Sequence, residues 1–462
     1  LRVPARRLAA AARAGRPGSL PAGLLRAGGA GDTLELRFGV TDGRDTARAS
    51  GRMAFRLLDP RKPPMVALRE APDSVHGRSG SVVGRPAPHA SYAWVFPDRS
   101  RALADRREGD RVRLRLSADL EAWVAAEDVV ELPGGADDGT PLRGAVGTVT
   151  LSATSRGVRV EIPVRRRVPA DVRRPDPSTV SVTLHGGLGA TERMLYGTGR
   201  RAAAAALTWE QLPGPRYRLR VVTEDRVWGW RVRWRPPGVE GGGAPPDSAW
   251  DAPGGILVLE VQRPPAVDPE NPLRGIRVAV DAGHPPVGAE GPTGLTEADA
   301  NLAVARELVA MLREAGAEPV MVRDDSSPVG LYERRRRARA AEADLLVSVH
   351  NNALPDGLRP FDRAGTSVYY FHPHALDLAR AVQRHLLARM GLRDLGVRWG
   401  NLALPREPWM PSVLTEGAFM MIPAHEAALR TDAFQRAYAR GVMGGIREFL
   451  EARGVPREEA RF

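Results

Sequence analysis

Four residues of this chain have the types and settings to hold a divalent metal and move a proton: His284, Glu297, His350 and Glu416. His284 ends the run VAVDAGH and His350 ends DLLVSVH, each directly after an apolar stretch that reads as a strand. Glu297 sits in GLTEADANL, at the start of a helical pattern, and Glu416 follows the last strand-like run, in SVLTEGAF. The chain has no cysteine, which excludes disulfides, thiolate metal sites and a cysteine nucleophile, so any metal must be held by His, Asp or Glu. Two imidazoles, one carboxylate and an open fourth position suit a catalytic zinc ion, which lowers the pKa of its water to about 7. A further carboxylate near that water serves as general base and acid. Each residue also has a structural reading. A histidine at a strand end is commonly a hydrogen-bonded framework residue, Glu297 is a favourable charge at a helix N-terminus, and Glu416 suits a solvated turn. No HExxH or other local metal signature decides between them.

For these groups to meet, the segments carrying them must form one sheet. After the proline-rich stretch 264–275, strands alternate with longer amphipathic helices: IRVAVDAG, EADANLAVARELVAMLREAG closing at Gly316, AEPVMVR, LYERRRRARAAEA, DLLVSVH, TSVYYF, ALDLARAVQRHLLARM, SVLTEGAF and a terminal helix. That alternation predicts an α/β domain over 276–455 with a mostly parallel sheet, whose strand C-termini gather the site. Upstream the patterning is all-β. Residues 1–33 read as a flexible, basic, glycine-rich leader and 34–65 as a β segment. Short strands follow over 66–135, and successive alternating runs over 146–263 predict a β-sandwich. Trp228, Trp230 and Trp234, at even spacing, are expected to share one face. A role in the core is favoured over a sugar-stacking platform.

The local sequences carry a family likeness. VAVDAGH, GLTEADANL, DLLVSVHNNA, TSVYYF and MPSVLTEGAF, followed by the terminal helix, resemble in order the zinc N-acetylmuramoyl-L-alanine amidases of the type-3 family, over Ile276 to near Arg453. Carried over residue by residue, the resemblance makes His284, Glu297 and His350 the zinc ligands and Glu416 the catalytic carboxylate. It also makes Asn352 a residue of the substrate groove. It implies hydrolysis of the amide between N-acetylmuramic acid and L-alanine in peptidoglycan, outside the cytoplasm. Ala282 stands where the family usually has proline, Asn351 where it has a small residue, Gly417 where it has an apolar one, and FMMIP replaces the usual FLSN. These departures bear on substrate preference. Some regulated members insert a helix over the zinc; the segment NNALPDGLRPFDRAG is too short for one, so self-inhibition is not expected. Upstream, 66–135 resembles a bacterial SH3-like barrel, and 146–263 resembles the AMIN-type targeting domains.

Composition sets the outer bounds. With 462 residues, several domains are expected, and 43% hydrophobic with 26% charged residues is a globular balance. No apolar run of about 18 residues predicts a transmembrane segment. The opening LRVPARRLAAAARAG shows no continuous apolar stretch, so no signal peptide is read there. The net charge of +12 is carried by arginine, with Lys62 the sole lysine, and is compatible with anionic wall polymers as partners. Coding bias toward Ala, Gly, Pro and Arg is the plainer account. Nucleic-acid binding is not expected, because no recognition helix, zinc finger or aromatic RNA-binding motif accompanies the charge. A non-catalytic wall-binding scaffold is the remaining alternative, and oligomeric state is not legible. Arg334–Arg337 read as a solvated helix face, and His372 and His374 as surface loop residues.

Overall fold

The computed structural model describes residues 32–41, 46–55, 63–70, 80–117, 119–136, 144–197, 205–239, 245–285, 288–355 and 357–456. Most of the expected leader therefore lies outside the described residues. The chain divides into two compact units, Leu1–Pro64 with Ala136–Gly139, and Met65–Gly135 with Thr140–Phe462. In the first, Asp32–Thr41 and Thr46–Phe55 pair as an antiparallel hairpin.

The second unit begins with a β-rich region. Strands Pro64–Leu68, Arg101–Glu108, Arg111–Arg115, Glu121–Ala125 and Val129–Ala136 form a five-stranded sheet beside the hairpin Ser81–Gly84/Trp94–Pro97. Leu68, Val82, Phe96, Leu114 and Val124 fill the space between them. A seven-stranded and a four-stranded sheet follow, facing each other across a core of Val160, Ile162, Val182, Leu219 and Leu259. This is the expected sandwich, and its alternating strands bury every second residue, as in Arg216–Thr223.

The C-terminal domain is built on six strands: β1 Arg277–Ala282, β2 Glu318–Met321, β3 Leu345–Asn352, β4 Thr366–Tyr370, β5 Asp394–Trp399 and β6 Ser412–Phe419. Their order is β2-β1-β3-β6-β4-β5. Every neighbouring pair is parallel except β4 and β6, so the sheet is mixed. Period-two alternation gives each strand two apolar faces. Val278, Val280, Leu345 and Val347 face one side, where α1 Glu297–Glu314, α3 Leu376–Met390 and α5 Asp432–Arg453 pack. Ala279 and Leu346 face the other, against Ala338 of α2 Leu331–Ala340 and the loop residues Trp409 and Met410. A short helix, α4 Pro423–Leu429, follows β6.

The helices begin and end where their sequences say they should. Thr296 caps α1 by accepting from the Asp299 amide, and Thr431 caps α5 by accepting from Phe434. Gly391, at φ 67°, terminates α3. No helix among the described residues is long and apolar enough to cross a membrane.

The junction 264–275 is anchored at both ends: Ala266–Val267 pairs with Val455–Pro456, and Leu273 is fully buried in the α/β core. All three tryptophans are buried, but they serve different cores. Trp234 and Trp230 belong to the sandwich, whereas Trp228 packs into the α/β core, 5.1 Å from Phe449, and donates to Asp344 O.

His374 is buried and His372 half-buried, so neither is a free surface loop residue. Both rings pack edge-on against Trp230, at 5.1 and 4.9 Å, at the joint between sandwich and α/β domain. The sequence pattern FHPHA, a loop with a proline, gave no hint of a partner domain folding over it.

Burial pushes His372 down to about 4 and His374 well below its ordinary value. Between pH 6.5 and 4 the unfolded chain therefore takes up protons that the packed rings refuse, and stability falls as pH falls. Each such histidine is expected to cost up to about 1.4 kcal/mol per pH unit in that window. Thermal unfolding midpoints between pH 7 and 4.5 should drop less steeply for His374→Phe than for the parent chain, and parallel slopes would refute this.

Candidate metal centre and active site

β1 and β3 are adjacent and parallel, with Val278 opposite Leu345 and Ala282 opposite Val349. The residues just beyond or at their C-terminal ends are thus carried to the same edge of the sheet. His284 follows β1 with φ 58°, a left-handed conformation uncommon outside glycine. His350 lies in the last turn of β3, and Glu297 enters from the first residue of α1. Candidate ligand atoms of the three lie within 4.8 Å of one another. His284 Nε2 is 3.2 Å from Glu297 Oε2, and His350 Nδ1 is 3.1 Å from Glu297 Oε1. Donors around one tetrahedral zinc at about 2.0–2.2 Å sit roughly 3.3–3.5 Å from each other, so the trio is spaced to share an ion.

Glu416 lies inside β6 rather than after it, because the strand runs through to Phe419. It sits directly opposite His350 in the β3–β6 ladder. Its Oε2 is buried and has no hydrogen-bond partner among the described residues. Such an oxygen is costly unless something fills the site beside it. Burial, and then the Glu297 charge, push the Glu416 carboxyl well above the usual carboxylate range. Burial acts on Glu297 in the same direction, but hydrogen bonds to His284 and His350 outweigh it and hold this carboxyl ionised, well below the usual range.

Further residues fix these groups. The Asn351 amide donates to Glu297 Oε1 at 3.2 Å, and its side chain bridges Asn301 Oδ1 and the Ala418 amide, tying β3, α1 and β6 together. Asn301 donates in turn to Gly283 O and Glu297 Oε1. Glu426 accepts from the Thr293 and Leu295 amides and so secures the loop leading into α1. Asn352, expected in the groove, accepts from its neighbour Ala353 and is half-buried.

Two glycines make room here. A Cβ on Gly283 would lie 2.2 Å from the His350 ring, and one on Gly417 would lie 2.1 Å from the Tyr438 ring. Tyr438 donates to His350 O, so the glycine that departs from the family pattern admits the residue bracing a candidate ligand.

The arginine run on α2 is only half solvated. Arg336 and Arg337 pair with Glu333 on the surface, as expected of a helix face. Arg334 and Arg335 turn inward. Arg335 pairs with Glu407 at 3.0 Å, both buried. Arg334, 1% exposed, meets fully buried Asp281 at 2.8 Å and donates to the carbonyls of Val329, Ala282, His284 and Pro285. Asp281 also accepts from Ser348. The guanidinium fork thereby sets the backbone on which His284 stands.

Removing Arg334 strands the Asp281 charge. Arg334→Met is expected to destabilise the domain by about 3–5 kcal/mol, while adding Asp281→Asn recovers part of the loss. Chemical denaturation of the three proteins checks this, and a double variant no better than the single would contradict it.

Comparison with known proteins identifies the family of the C-terminal domain. A family model described as N-acetylmuramoyl-L-alanine amidase matches residues 278–448, a span containing His284, Glu297, His350 and Glu416. The uncharacterized protein YqiI of Bacillus subtilis (strain 168) is 33% identical over 193 residues, 40% of this chain and 91% of YqiI. The N-acetylmuramoyl-L-alanine amidase LytC of the same organism is 32% identical over 178 residues, 38% of this chain but only 36% of LytC. Among solved structures, the catalytic domain of CwlV, an N-acetylmuramoyl-L-alanine amidase from Bacillus (Paenibacillus) polymyxa var. colistinus, has 31% identity. It covers 38% of this chain and 98% of that one, with a TM-score of 0.36. Through its C-terminal α/β domain, the chain belongs to the N-acetylmuramoyl-L-alanine amidase family.

Proposed function

We propose that this protein is a zinc-dependent peptidoglycan hydrolase acting outside the cytoplasm, which cleaves the amide between N-acetylmuramic acid and the L-alanine of the stem peptide. The observation that carries the reading is the buried, unpartnered Oε2 of Glu416 beside two imidazoles and an ionised carboxylate. His284, Glu297 and His350 would hold the ion. A bound zinc would polarise the amide carbonyl, acidify water and, as a positive charge, draw the Glu416 carboxyl back toward its ionised form. Glu416 takes a proton from the attacking water as its oxygen bonds to the lactyl carbonyl carbon. When the C–N bond breaks, Glu416 returns that proton to the alanine nitrogen. The products are an intact glycan strand and a peptide with a free L-alanine amine. Asn352, at the end of β3, is assigned to the wall of the substrate groove.

In this reading 276–455 is the catalytic domain, 66–135 an SH3-like module and 146–263 an AMIN-like targeting sandwich, joined to the catalytic domain by 264–275. The β segment 34–65 precedes them. Between β3 and β4 no helix occurs among the described residues, which supports a groove left uncovered.

Digestion of purified peptidoglycan, read by mass spectrometry, tests the reaction. The full chain with zinc should release peptides bearing free N-terminal L-alanine, and a chelator should stop the release. Glu416→Ala should slow it by about 10²–10⁴-fold while still binding one zinc per chain by elemental analysis. Binding to wall sacculi without any release would instead identify a scaffold. Release is also expected without an activator protein or removal of upstream residues. A need for either would show that the groove is closed after all.

A further inference from the structure

A cavity of about 610 Å³ opens where the SH3-like region, the sandwich and the α/β domain meet. None of His284, Glu297, His350 or Glu416 lines it. Its volume falls in the range of roughly 300–1,000 Å³ typical of ligand pockets.

The wall of this cavity is lopsided in charge: eight arginines line it against two carboxylates, Asp171 and Glu407. Most of the cations have partners. Arg173 pairs with Asp171, Arg231 with Glu260, Arg218 and Arg220 with Glu210, and Arg335 and Arg339 share Glu407. Arg174 and Arg406 have no carboxylate within ion-pair distance among the described residues. Arg174 spends one donor on Pro177 O, and its Nε is buried without a partner. Arg406 donates to Leu402 O and lies over the Tyr92 ring at 4.9 Å. Burial pulls both guanidiniums below their ordinary pKa, while Asp176 and Asp377 act in the opposite direction on Arg174, and Tyr92 and Tyr332 on Arg406.

Aromatic surface stands beside this charge. Trp399, 57% exposed, tilts over Phe371 at 5.4 Å, and Tyr92, Trp94 and Tyr332 also face the cavity. Aromatic faces stack on the apolar C–H face of a sugar ring, while guanidiniums donate to phosphate or carboxylate oxygens.

We propose that this three-domain cavity binds a saccharide chain carrying phosphate or carboxylate groups, with Arg174 and Arg406 reading the anion and Trp399 stacking on a sugar ring. Its choice of a wall saccharide rests on the hydrolase reading above; the anion-binding chemistry does not. The site would hold the enzyme on its polymer while the amide is cut elsewhere, so it is a docking site and not part of the reaction.

The test uses the full chain carrying Glu416→Gln, which prevents turnover during titration. Three fluorescent probes are titrated: a glycerol-phosphate oligomer, an uncross-linked peptidoglycan strand bearing its peptide carboxylates, and a neutral chitin oligosaccharide. At least one anionic probe should bind about 10-fold more tightly than the neutral one and weaken with salt. Preference for the first probe assigns the charge read to phosphodiesters, and preference for the second to carboxylates. Arg174→Gln with Arg406→Gln should remove most of that advantage. Trp399→Ala, at an exposed position that leaves the fold intact, should weaken both sugar-bearing probes by several-fold. Equal binding of charged and neutral chains, or binding untouched by both sets of substitutions, overturns the proposal. Peptide release by the parent chain, measured separately, reports on the hydrolase reading whatever the titrations give.

Discussion

An ionised carboxylate 4% exposed between two imidazoles cannot rely on water, and the Glu297 arrangement is the constraint around which the C-terminal domain is organised. Its two oxygens are claimed by five partners: His284, His350, the amides of Ala289 and Asn351, and the Asn301 side chain. The partners come from the segment between β1 and α1, from β3 and from α1 itself. Helix α1 cannot shift along its axis without breaking several of these bonds together. The parallel pairing of β1 with β3 and the cap at Thr296 are therefore parts of one positioning device. The same arrangement explains why the site tolerates His284 at φ 58°: its carbonyl is held by Arg334, whose own charge is neutralised by Asp281.

The sequence was informative where chemistry and periodicity coincide. His284 and His350 end apolar runs, and Glu297 opens an amphipathic run with a capping threonine, so both their types and their positions could be read. The sandwich and the α/β alternation were legible for the same reason, since period two and period 3.6 survive in one dimension. What escaped were pairings across distance. Arg334 and Arg336 are two residues apart on one short polar helix, and nothing local says that the first is buried against Asp281 while the second is solvated. The partner lies 53 residues away on a strand whose aspartate looks like part of the glycine turn that follows. His372 and His374 escaped for the same reason, because the surface that buries them belongs to the sandwich. The antiparallel placement of β4 beside β6 was equally invisible, because alternation predicts strands and not their direction.

The joint between sandwich and catalytic domain is continuous with both cores. Trp228 precedes the sandwich strand Gly229–Arg235 yet counts among the core residues of the α/β domain, and the Trp230 amide donates to Pro408 O. Arg156 from the sandwich pairs with Asp344, whose other oxygen accepts from the Arg277 amide at the start of β1. Interfaces of this kind, with buried aromatics and a desolvated ion pair, resist the independent motion expected of domains joined by a slack linker. Residues 264–275 are rich in proline, but their ends are pinned. The sandwich is therefore packed directly onto the catalytic domain.

That rigidity bears on how the family pattern can vary without loss of the site. Asn351 is larger than the residue the family resemblance leads one to expect, and its side chain bonds Asn301 and the Ala418 amide. Gly417 is smaller, and the space it leaves is taken by Tyr438, which bonds Thr415 and His350 O. The two changes flank Glu416 and act in opposite directions on volume, one adding polar contacts beside β3 and the other admitting an aromatic ring from α5. Close packing makes such changes interdependent: restoring an apolar side chain at 417 alone would drive it into the Tyr438 ring and displace a brace of His350. Asn351, Gly417 and Tyr438 thus form one local packing arrangement around Glu416 and His350.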